Sequence, residues 1–118
     1  MIFAKKNNIE LILFMTPTYI TTYLSDDINN LNRFKYKIAQ VTDFYDFSII
    51  NDVTKNKYYW HDGSHFNIEV SKKIIDVLRV NKNAGEFMVH VKRNNAANHC
   101  RNMVEKRSNY INNSNNDF

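Results

Sequence analysis

The most continuous apolar run in the chain is Ile9-Glu10-Leu11-Ile12-Leu13-Phe14-Met15, and it stops at Thr16-Pro17. Proline has no N–H to give to a sheet ladder, so Pro17 closes a strand. A short run without alternation is the pattern of a strand buried on both faces of a parallel sheet. Ahead of it, Ile2 to Asn8 reads as the last turns of a helix. Ser25-Asp26-Asp27 supplies a cap and the acidic residues that suit a helix start. From there Ile28, Leu31, Phe34, Ile38 and Val41 recur at spacings of three and four, one face of a helix over Asp27–Val41. Phe44 to Ile50 is aromatic and β-branched and predicts a second strand, the parallel neighbour of the first. Asn51 to Lys57 is a polar loop. Asn67 caps the next helix, with Ile68, Val70, Ile74, Ile75 and Leu78 as its apolar side. Gly85 marks a turn, Phe87 to Val91 is a short extended run, and Asn94 or Asn95 caps a last helix reaching about Ile111.

Alternating helices and strands imply an α/β fold with parallel strands. Two main strands are too few for such a sheet, which needs cover on both faces and more neighbours. The pattern is that of the C-terminal half of a doubly wound domain. Residues 1–112 form the partial domain and 113–118 a disordered polar tail. The expected complement is a missing N-terminal half, another chain, or self-association.

Composition narrows the function classes. The chain has 118 residues, 43% of them hydrophobic, which is enough for a core and excludes full disorder. Two glycines and one proline exclude collagen-like and linker-like chains. A single cysteine, Cys100, excludes a disulfide framework and a Cys-x-x-Cys zinc site. No run approaches the ~20 apolar residues of a membrane span, and no signal peptide is visible, so the expected location is the cytoplasm. The net charge of +4 is spread among acids and asparagines rather than clustered, so no nucleic-acid partner is expected.

The sharpest chemical feature is Asp62-Gly63-Ser64-His65. An Asp three residues before a His, in a turn leading into a helix, can fold back on the imidazole. It then accepts the Nδ1–H bond and leaves Nε2 as a general base for a hydroxyl nucleophile. Gly63 provides for the tight turn. Two other readings stay open. Asp62 can be a capping residue beside a surface histidine, and His61, Asp62 and His65 together can ligate a metal, although no third distant ligand stands out. Tyr58-Tyr59-Trp60 can pack the loop onto the sheet, or Tyr59 and Trp60 can form a wall for a sugar or acyl group. Ser64 has a turn role, and His90 and His99 sit on surfaces without an assigned role.

Taken together, Tyr59-Trp60-His61-Asp62-Gly63-Ser64-His65-Phe66 and the upstream Val41-Thr42-Asp43-Phe44-Tyr45-Asp46-Phe47-Ser48 resemble the C-terminal part of SGNH (GDSL-like) hydrolases. The likeness is nearer to SGNH-like proteins of bacterial cell-surface polysaccharide systems, whose relatives can be membrane-anchored or extracytoplasmic. Leu11 to Pro17 and Gly85 to Val91 extend it, so that it runs from about residue 2 to residue 112. The resemblance implies a flavodoxin-like α/β/α fold and ester hydrolysis or O-acyl transfer on glycans through a Ser-His-Asp triad. Asp62 matches the acid and His65 the base, with no cofactor or metal. The family's Gly-Asp-Ser nucleophile motif is absent, since neither Gly63 nor Gly85 precedes Asp-Ser. The isolated chain is therefore expected to be inactive. The alternative is a non-catalytic interaction module that binds a partner protein or a glycan.

Overall fold

The computed structural model describes residues 2–80 and 85–116, with the side chains of 115 and 116 left out. It is a mixed α/β structure built on a three-stranded sheet in the order β1-β2-β3. The strands are β1 (Phe14–Met15), β2 (Phe44–Asp46) and β3 (Val89–Val91). Around them lie α1 (Ile2–Lys6), α2 (Ile20–Ser25), α3 (Ile28–Val41), α4 (Asp52–Lys55), α5 (Ile68–Arg79) and α6 (Ala96–Asn116). The short α4 lies where the sequence pattern shows a polar loop, and α2 in a stretch where the pattern predicts no element.

The first two strands pair in parallel, as their connection through α3 requires, with Phe14 opposite Tyr45 and Met15 opposite Asp46. The Tyr45 N–H donates to the Leu13 carbonyl at 2.9 Å and the Phe47 N–H to that of Met15 at 3.0 Å. Pairing begins only at Leu13 because β2 begins only at Phe44, so Ile9 to Ile12 run past the end of their neighbour. They stay irregular and exposed instead of forming the doubly buried strand expected over Ile9–Met15.

The third strand corrects the expectation of parallel strands, because β3 pairs antiparallel to β2. The Asn51 side-chain amide fixes the entry to that strand. Standing just beyond the C-terminal end of β2, it donates to the carbonyls of Glu86 at 3.3 Å and Phe87 at 3.5 Å. The chain thus enters β3 at the end where β2 leaves, and must run back along it.

Alternation along β2 divides the core. Tyr45 and Phe47 pack with Val70, Ile74 and Val77 of α5 and with Phe87 and Met88. Phe44 turns to the opposite side, against Ala39 of α3, Val91 and Ala96 of α6. Asp46, also on that side and with no exposed surface, pairs with Lys35 of α3. Asp27 caps α3 through the Asn29 and Asn30 N–H groups, and Asn67 caps α5 through Glu69 and Val70. α6 continues to Asn116, so residues 113–116 are helical where a disordered tail is expected; 117 and 118 lie outside the described residues. No described helix is long and apolar enough to cross a membrane.

Candidate functional site

The loop carrying Asp62 and His65 is pinched at its base. Trp60 and Phe66 form an antiparallel bridge, the His61 N–H donates to the His65 carbonyl at 2.8 Å, and the Asn67 N–H donates to the Tyr59 carbonyl at 2.7 Å. Its tip rests on α2. The Tyr19 N–H donates to the Gly63 carbonyl at 3.0 Å, and a Cβ on Gly63 would run into Thr22 Oγ1. A side chain at position 63 would have to displace the Thr22 hydroxyl. The positive-φ glycine among the described residues is Gly85, so the backbone freedom expected of Gly63 is not what the loop uses. Tyr19 follows β1, so the loop sits beyond the C-terminal end of a parallel strand, where open α/β sheets place their sites.

At the tip, Asp62 folds back onto its own loop. Its Oδ1 accepts the N–H of Ser64 at 2.8 Å and of His65 at 2.9 Å, and the His65 ring nitrogen Nδ1 lies 2.7 Å from Oδ2. An ionised carboxylate can only accept, so Nδ1 carries the proton and Nε2 of a neutral ring keeps its lone pair. The Ser64 N–H first, then the His65 ring, hold the Asp62 carboxyl below the ordinary carboxylate range. Both side chains are open to solvent, at 58% exposure for Asp62 and 76% for His65. Among the described residues the His65 ring has Asp62 as its hydrogen-bond partner and no serine hydroxyl is bonded to it. Ser64 contributes its backbone to the turn, and no group of three ligands among the described residues could hold a metal with His61.

The aromatic wall is not formed as expected. Trp60 is buried, with its Nε1–H donating to the Val53 carbonyl at 3.0 Å and its ring between Tyr19 and Phe66. Tyr59 is half-buried and packs against the core cluster under α5. The open ring of the triplet is Tyr58, which is 67% exposed and whose hydroxyl donates to Glu69. No family model, curated protein or solved structure is detectably similar to the chain.

Two further Asp–His pairs escape sequence reading. His90 Nε2 lies 2.6 Å from Asp43 Oδ2, and its ring stacks on Tyr45. That bond holds the Asp43 carboxyl below its ordinary range. His99 is 4% exposed rather than on the surface, with Nε2 2.7 Å from Asp46 Oδ2. The same oxygen lies 2.7 Å from Lys35 Nζ, and Lys35 also donates to the Ser48 carbonyl. The available signal was the position of Asp46. An acid inside the aromatic, β-branched run Phe44 to Ile50 demands a cation once that run is buried.

Proposed function

We propose that Asp62 and His65 are the acid–base half of an acyl-transfer site of the SGNH type. The reaction is ester hydrolysis or O-acyl transfer on a glycan. The observation that carries this reading is the carboxylate on Nδ1 in a loop beyond the C-terminal end of β1, which leaves Nε2 as the acceptor. In the reaction, Nε2 takes the proton of a serine hydroxyl as its oxygen adds to the ester carbonyl. It returns the proton to the departing alkoxide, leaving an acyl-serine for water or an acceptor hydroxyl. The nucleophile and the oxyanion donors come from a further segment packed along β1. Helices on both sides of the sheet suit a flavodoxin-like arrangement completed by more parallel strands at that edge.

The exposed apolar edge favours a second reading, a non-catalytic module that binds a partner through the same surface. Ile9, Leu11 and Phe14 are 50%, 52% and 42% exposed there.

Two measurements test the first reading. Nitrogen NMR of His65 should show the Nδ1–H tautomer, and the Nε2–H tautomer would sink the base assignment. The chain alone should not turn over p-nitrophenyl acetate. Turnover abolished by His65→Ala would show that a nucleophile already lies within the chain, against the half-site reading.

A further inference from the structure

Arg107 belongs to α6, yet its guanidinium is bound to the helix on which the His65 loop rests. That helix, α2, has six residues, too few to be stable in water without outside support. Neither of its ends is finished by its own side chains: Tyr19 makes no side-chain cap, and the last turn carries no basic residue. Distant segments finish both. At the start, the Tyr19 N–H donates to the Gly63 carbonyl, Thr22 abuts Gly63, and the Tyr19 ring lies against Trp60 at the base of the loop. At the finish, Arg107 Nη1 donates to the carbonyls of Tyr23 and Asp26, and Nη2 to that of Leu24. A guanidinium holds its N–H groups in one rigid plane, so three carbonyls bound to it fix the direction of the helix end as well as its place. Between the ends, Ile20 and Tyr23 seat the inner face of α2 on Ile50.

So held, α2 is a short strut between α6 and the loop. A shift at its last turn is carried to Tyr19 and Thr22, and from them to Gly63. The turn that contains Gly63 is the one whose Ser64 and His65 N–H groups bind Asp62. We infer that Arg107 is a positioning residue for His65, acting through α2. The purpose of that positioning rests on His65 being the base of the proposed site, but the linkage between Arg107 and the loop is measurable without a substrate.

The test is amide hydrogen exchange of the full chain read by mass spectrometry, which tolerates self-association. Arg107→Met keeps the apolar stem and removes every donor. It should speed exchange of the Ser64 and His65 amides roughly tenfold, as the loss of hydrogen bonds from a charged group implies, and leave the amides of α5 as in wild type. Arg107→Lys keeps a charged donor and should restore part of the protection. Gly63→Ala displaces the Thr22 hydroxyl and so loosens the other end of the same path. If α2 carries both effects, Arg107→Met with Gly63→Ala should speed loop exchange by less than the product of the two single factors. Four results would each overturn the inference: loop amides unchanged in Arg107→Met, equal acceleration across α5, no protection regained in Arg107→Lys, or a double variant equal to the product. A His65 ring with its proton on Nε2 would instead sink the base assignment and leave the linkage standing.

Discussion

Lys35, Asp46 and His99 join α3, β2 and α6 through one carboxylate oxygen with almost no exposed surface. Breaking a buried pair from one side leaves an uncompensated charge, which costs about 3–5 kcal/mol. Lys35→Met should lower stability by that order in denaturant unfolding. Lys35→Met with Asp46→Leu should recover much of it, since the orphaned carboxylate is then gone. Asp62 behaves differently because it lies in water. Its carboxyl is held below the ordinary range by the Ser64 N–H and the His65 ring, so the folded loop binds its proton less readily than the unfolded chain. The contribution to loop stability is present above the unfolded value and is lost as pH falls through the lower folded one. Amide exchange at Ser64 and His65 should accelerate over that acidic window, and Asp62→Asn should remove the pH dependence. The local pair was legible in the sequence because Asp62 and His65 lie three residues apart. The buried pair was not, since Asp46 and His99 are 53 residues apart and meet only through packing.

Capping side chains shape the elements as much as apolar stripes do. Asn51 accepts from the Val53 and Thr54 N–H groups, while its own N–H donates to Thr54 Oγ1 at 2.8 Å. This reciprocal cap starts α4 inside a segment that reads as a polar loop, and its Asn-x-x-Thr spacing was the overlooked signal. Asn51→Ala also releases the carbonyls of Glu86 and Phe87. It should cost about 1–2 kcal/mol in unfolding experiments, at the upper end for a cap. Asn67 was legible as the cap of α5, whereas the run Ser25-Asp26-Asp27 marked the start of α3 without singling out Asp27, the residue that caps it. The buried faces were less legible. On α3 the inward positions are Asn32, Lys35 and Ala39, whereas Phe34 and Val41 are 54% and 73% exposed. Ile28, Leu31 and Ile38 of the apolar stripe do pack against the core, but the most buried line lies beside them, with Lys35 drawn in by the charge on Asp46 and Phe34 left out. On α5 the face is Val70, Ile74 and Val77, with Ile68 and Ile75 outside.

At the scale of the whole molecule the edge at β1 stands open, with Leu11 and Phe14 exposed beside backbone groups paired only toward β2. Covering one such side chain is worth roughly 1.5–3 kcal/mol, and an open strand edge is a template for another chain. The purified chain should self-associate with rising concentration in light scattering, and Leu11→Lys with Phe14→Lys should shift it toward monomer. A wild-type chain that stays monodisperse and melts cooperatively as a monomer would refute this. The opposite end of the chain carries a different consequence. Arg107 donates to the carbonyls of Tyr23 at 3.4 Å, Leu24 at 2.8 Å and Asp26 at 3.0 Å, closing the C-terminal end of α2 from more than eighty residues away. Thr22 and Tyr19, against which Gly63 rests, flank or belong to that same helix. During synthesis the clamp cannot form until α6 has left the ribosome, and the contact closes a long loop at an entropic cost. The turn that holds His65 and the helix it rests on are both synthesised before the arginine that clamps that helix.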